Sequence, residues 1–93
     1  MAGAESRRFR VTGRVQGVGF RFFVVGRAQE LALNGFTRNR PDGSVEVFAQ
    51  GPAERLERLR EALEEGPALA RVEAVAVTDA PPEPGRTDFR IVH

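Results

Sequence analysis

The chain has no cysteine and no lysine, and its one histidine is His93. Without cysteine there are no disulfides, no thiolate nucleophile and no thiolate metal site, and oxidation state gives no clue to compartment. A lone histidine in the last position excludes a multi-histidine metal centre and argues against a buried imidazole base or a phosphohistidine relay. No apolar run approaches the roughly 20 residues that span a bilayer, and the first residues lack the apolar stretch of a signal peptide. The expected setting is therefore the cytoplasm, with no membrane partner. A chain of 93 residues suits one domain, and a domain this short buries only about two-thirds of the surface its unfolded chain exposes. An enclosed cofactor chamber does not fit, so no cofactor is expected and any active site should be a shallow loop or groove.

All fourteen basic residues are arginine, set against thirteen acidic ones for a net charge of +1. The distribution is uneven: residues 1–30 carry six arginines against Glu5 and Glu30, for +4, and the remainder carries −3. So small a total argues against nonspecific nucleic-acid binding, while the basic first third points to one focused anion site. With 41% hydrophobic residues and seven phenylalanines there is material for a core.

Residues 1–6 are small and polar and are expected to fray, leaving residues 7–93 as a single domain. Phe9 and Val11 alternate with Arg8, Arg10 and Thr12, as in a strand with one wet face. Residues 14–19 then form a glycine-bearing loop. Phe20, Val24, Ala28 and Leu31 share one face of a helix expected over about 21–33, with Asn34-Gly35 as its left-handed stop and Gly26 marking close packing against a sheet. A hairpin follows, from Phe36–Arg40 through the turn Pro41-Asp42-Gly43 to Ser44–Gln50. Gly51-Pro52 opens a second helix with proline at its first position; Leu56, Leu59 and Leu63 line one face, and Gly66-Pro67 ends it. Arg71–Thr78 and Thr87–Val92 read as strands, separated by a proline-rich loop. The order β-α-β-β-α-β plus one short strand indicates an α+β, ferredoxin-like fold, an antiparallel sheet with two helices on one face and the other face exposed.

Chemistry concentrates in Gly13-Arg14-Val15-Gln16-Gly17-Val18-Gly19-Phe20-Arg21. Amides of such a loop can converge, the helix start adds unpaired N–H groups with partial positive charge, and the guanidinium of Arg21 can grip two oxygens of a phosphate. Taken alone, these features fit equally a tight turn with a surface arginine. Asn39, taken alone, reads as a residue satisfying local backbone groups. Asp42, Asp79 and Asp88 fall in a turn, beside a proline loop and in a strand, so they read as surface acids and no metal site is expected. Arg38 and Arg40 read as surface charge.

The run Gly13–Arg21 resembles the acylphosphatase signature, and Gly35-Phe36-Thr37-Arg38-Asn39, followed by Gly43-Ser44-Val45, is similar to that family's second signature. The resemblance covers residues 7–93. Thr37 departs from the family's usual apolar residue while keeping the β-branched shape, which implies a packing variation. The resemblance implies a metal-independent hydrolase of the carboxyl–phosphate anhydride, a small stand-alone acylphosphatase. Phosphate would be held by Gln16, Gly17, Val18, Gly19, Phe20 and Arg21, and the attacking water oriented by Asn39. A carboxylate leaving group needs no general acid, because its conjugate acid has a pKa of about 4. Positioning and charge stabilisation then carry the reaction. The implied partner is a small acyl phosphate, handled by a monomer without nucleic acid.

The rival is a non-catalytic anion- or RNA-binding ferredoxin-like module. Gly19-Phe20-Arg21-Phe22-Phe23-Val24 loosely matches the aromatic strand motif of RNA-recognition domains, but here the aromatics fall in a helical pattern. A regulatory domain, such as the acylphosphatase-like region of a hydrogenase-maturation carbamoyltransferase, would need cysteine-rich zinc motifs elsewhere in its chain.

Overall fold

The computed structural model describes residues 4–93. Its elements are β1 (Ala4–Arg14), α1 (Phe20–Glu30), β2 (Asn34–Asn39), β3 (Val45–Pro52), α2 (Ala53–Glu65), β4 (Arg71–Asp79) and β5 (Phe89–Ile91). They form a five-stranded sheet in the order β4-β1-β3-β2-β5, antiparallel except where β5 lies parallel to β2. This is the α+β, ferredoxin-like arrangement.

Alternation puts Phe9 and Val11 of β1 and Val45, Val47 and Ala49 of β3 on the helix-covered face, where all are buried. Phe20, Val24 and Ala28 of α1 and Leu56, Leu59 and Leu63 of α2 close over them, as expected from spacing; Leu31, expected on the same helical face, is instead the C-cap of α1 and only partly buried. Ala4, Glu5 and Ser6, expected to fray, instead continue β1 and pair with Pro52, Gly51 and Gln50; residues 1–3 lie outside the described region. Pro52, expected inside α2, is its N-cap with extended ψ.

The helix stop also differs from expectation. Ala32, not Asn34-Gly35, takes the left-handed conformation (φ 53°). Leu33 N–H donates to Ala28 O at 2.9 Å and Ala32 N–H to Gln29 O at 3.0 Å, the paired bonds of a Schellman motif. Burial of Leu33 selects this turn, since it drives the chain back into the core three residues after the helix. Asn34 and Gly35 begin β2 instead, where a Cβ on Gly35 would sit 1.9 Å from Phe48 O.

The outer face of the sheet, away from the helices, is not wholly wet. Phe48 is fully buried there and Glu46 is 3% exposed. The segment joining β4 at one edge to β5 at the other contacts this face: Gln50 Nε2 donates to Glu83 O at 2.7 Å and Gln50 Oε1 accepts from Glu83 N–H at 2.9 Å. Arg86 lies 5.0 Å from the Phe36 ring centre, and Phe36 stacks on Phe48 at 5.5 Å.

Gly26 was expected to mark close packing, but nothing lies within 4 Å of a Cβ built there and its φ is ordinary. Gly26→Ala and Ala32→Gly should therefore each raise stability, by about 0.5–1 kcal/mol, the first through helix propensity and the second by relieving the left-handed alanine. Urea denaturation would show both midpoints moving up; a drop for Gly26→Ala would mean that position does pack closely.

Candidate active site

β1 and α1 are joined by a loop anchored through its apolar side chains. Val15 and Phe20 are buried and Val18 packs partly against the core, so the side chains anchor inward. Gly17 (φ 74°) and Gly19 (φ 79°) supply the left-handed turns that a Cβ would disfavour. No backbone amide from Val15 to Phe22 donates to an acceptor among the described residues; intrahelical bonding begins with Phe23 N–H to Gly19 O at 3.1 Å. Among the described residues no side chain caps α1, and its first turn holds no acidic residue. A band of unpaired donors is thus left open at the positive end of a helix.

Arg21 sits half-buried in that first turn, with no carboxylate within ion-pair reach among the described residues. A cation at a helix N-terminus is electrostatically unfavourable unless an anion sits between them. The loop, the helix start and Arg21 therefore all favour the same guest, a multivalent oxyanion.

Gln16 turns its side chain away from this cradle. Its Nε2 donates to Arg40 O at 2.7 Å and to Ser44 O at 2.9 Å, the two carbonyls flanking the β2–β3 turn. Of Gln16, only the backbone amide is left for a phosphate. The tie brings the loop beside the end of β2, where Asn39 stands one residue before Arg40. Asn39 Oδ1 is buried and accepts no hydrogen bond from the described residues. Such an orphaned acceptor is costly and calls for a donor such as water. Thr37 is fully buried with its hydroxyl donating to Glu46 O at 2.9 Å, so the departure from the family pattern is a satisfied packing position.

Two neighbours of Asn39 were not legible beforehand. Val92 N–H donates to Thr37 O at 2.9 Å, which carries the chain alongside β2 and sets His93 in a pocket of about 340 Å3 with Arg38, Asn39, Arg40 and Pro41. The pairing of β5 with β2 is a long-range choice, with no local signal. Glu46 is the second: Arg38 (2.7 Å), Arg40 (2.8 Å) and Arg8 all bind its carboxylate. Burial alone would raise its pKa, but hydrogen bonds from Arg38, Arg40 and Arg8 outweigh that and hold it below the ordinary value. The charges of Arg38 and Arg40 are thereby tied down beside the site. Asp42 is held well below the usual range by the Ser44 hydroxyl and amide, then by Arg10. Asp88 pairs with Arg90, and Asp79 is exposed. No group of three or more His, Asp or Glu among the described residues is arranged to hold a metal ion.

The acylphosphatase family model matches residues 7–91. The chain belongs to the acylphosphatase family. A relative, the acylphosphatase of Koribacter versatilis, is 54% identical over 87 residues, covering 94% of this chain and 79% of that one. The crystal structure of acylphosphatase from Bacillus subtilis matches with a TM-score of 0.90 at 41% identity, over 95% of this chain and 98% of the other. The fold also occurs within a much longer protein, full-length HypF, with a TM-score of 0.87 and 26% identity, where the match covers 98% of this chain and 12% of that one. Both signatures lie within the matched residues, and the structure joins them through Gln16.

Because the folded pKa of Glu46 is depressed, its ion pairs stabilise the fold above the unfolded value of about 4.3, and that contribution is lost as pH falls through the folded value. Glu46→Gln should cost about 1–3 kcal/mol at pH 7, with the gap from wild type closing in acid. Urea titrations at pH 7 and at pH 3 would show this; a constant gap would mean the carboxylate charge is not what matters.

Proposed function

We propose that the backbone amides of Gln16, Gly17, Val18, Gly19 and Phe20, with the guanidinium of Arg21, hold the phosphoryl group of an acyl phosphate, and that Asn39 orients the attacking water. The protein hydrolyses the carboxyl–phosphate anhydride to carboxylate and inorganic phosphate. The observation that carries the division of roles is the position of Asn39, held next to the loop by the Gln16 tie and with its Oδ1 lacking a partner among the described residues.

In the reaction a P–O bond forms to water as the P–O bond to the acyl oxygen breaks. The Asn39 carboxamide holds the water so that a lone pair faces phosphorus. A neutral carboxamide is no base, so the water proton passes to a non-bridging phosphoryl oxygen. The carboxylate departs as a stable anion, since its conjugate acid has a pKa of about 4, and no proton donor is needed. The amides and Arg21 face the equatorial oxygens, where transition-state charge spreads, and they are already oriented before substrate arrives. Neither a metal ion nor a covalent intermediate enters this scheme.

Acyl phosphates are charged and hydrolytically labile, so the enzyme belongs where they form, which we take to be the cytoplasm, acting as a monomer on a small molecule. Nucleic acid has no part in this reading. Phe20 is core, Phe23 packs partly against it from the helix, and the outer-face rings Phe36 and Phe48 are bracketed by Arg8 and Arg86, which removes the open stacking platform that single-stranded RNA needs.

Arg21→Ala should lower kcat/KM by about 100-fold or more and weaken competitive inhibition by inorganic phosphate. Asn39→Ala should lower kcat by a similar factor with the phosphate inhibition constant nearly unchanged. Benzoyl phosphate hydrolysis in the presence of chelator would measure both; equal loss of phosphate affinity in the two variants would contradict the division of roles.

A further inference from the structure

Arg14, Arg21, Arg55 and Arg71 are the arginines with no carboxylate within 4.0 Å among the described residues; every other arginine has one. Arg21 belongs to the phosphate cradle and Arg55 to the exposed face of α2. Arg14 and Arg71 belong together: they are exposed register partners where β1 ends and β4 begins, and Arg14 is the residue immediately before the loop. Like charges directly opposite across a strand pair are destabilising. Glu73, displaced by the bulge at Thr12/Gly13, forms no ion pair with either.

Resting on the reading above, we propose that Arg14 and Arg71 form an acyl-side anion subsite, which selects acyl phosphates whose acyl group carries a second negative charge. The geometry of displacement supports the placement. Attacking and leaving oxygens lie on opposite sides of phosphorus. The sheet order sets β1, from which the loop springs, between β4 on one side and β3 and β2 on the other. Water held by Asn39 approaches from the β2 side, so the acyl group leaves toward β4, where Arg14 and Arg71 stand. There the two planar guanidinium groups can bind carboxylate or phosphate oxygens and relieve their mutual repulsion. A neutral acyl group leaves that repulsion in place. On the opposite side Arg38 and Arg40 are bound to Glu46, which holds their guanidinium groups on the outer face.

The test compares kcat/KM for butyryl phosphate, succinyl phosphate and 3-phosphonopropionyl phosphate, the last two distinguishing a carboxylate from a phosphorus oxyanion. Wild type should prefer at least one charged substrate over butyryl phosphate by about three- to tenfold, the range two exposed charge pairs supply, and 0.5 M salt should shrink the preference. In the Arg14→Gln/Arg71→Gln variant the ratio should fall toward one, while its urea midpoint holds or rises because the repulsion is gone. A wild-type ratio of one or below, or a preference that survives in the variant, overturns the subsite and leaves the hydrolase reading standing. No turnover of any of the three by folded wild type overturns the hydrolase reading, and the subsite with it.

Discussion

One carboxamide ties the glycine loop to the β2–β3 turn, and with it the two family signatures to each other. The Gln16 side chain spans from the β1–α1 loop to the carbonyls of Arg40 and Ser44, residues far away along the chain. The loop owes its turns to glycines at positive φ, which are permissive and so do not by themselves define one geometry. Preorganised donors act on a transition state only if they are fixed before substrate arrives. Two hydrogen bonds to backbone carbonyls of a β-turn, together with the buried anchors Val15 and Phe20, supply that rigidity. The same contact determines how the cradle stands relative to Asn39, the neighbour of Arg40.

Charge is the second constraint. In a chain whose every basic residue is arginine, an anion site has to be distinguished from the cationic surface around it. Glu46 does this by collecting Arg8, Arg38 and Arg40 on the outer face, and Asp42 does it for Arg10. The arginines with no carboxylate within 4.0 Å among the described residues are Arg55 on α2, Arg21 at the helix start and, beside the loop, Arg14 with Arg71. Focusing thus arises from fixing neighbouring guanidinium groups in ion pairs as well as from placing donors.

Much of the architecture was legible because it rests on periodicity. Spacing alone marked Phe20, Val24 and Ala28 on one helix and Leu56, Leu59 and Leu63 on the other, and alternation marked Phe9, Val11, Val45, Val47 and Ala49. Local rules failed where a distant residue decided the outcome. Asn34-Gly35 has the composition of a helix stop, yet Leu33 has to reach the core, so Ala32 takes the strained turn. Gly26 looked like a packing glycine and faces open space. Phe48 and Glu46 occupy positions that alternation reads as wet, yet Arg8 and the Phe36 ring lie against Phe48, and Arg8, Arg38 and Arg40 surround the Glu46 carboxylate.

The sequence by itself determined the element order, the helix faces, the glycine loop and the two family signatures, because each is encoded within a few neighbouring residues whose backbone angles and side-chain period are local properties. Only the tertiary structure decided that Gln16 ties the signatures together, that Asn39 Oδ1 is left without a donor among the described residues, that Glu46 gathers three arginines and that Arg14 meets Arg71. Each of these depends on which strand lies beside which and in what register, a choice made by burial of the whole apolar surface rather than by any segment of the chain.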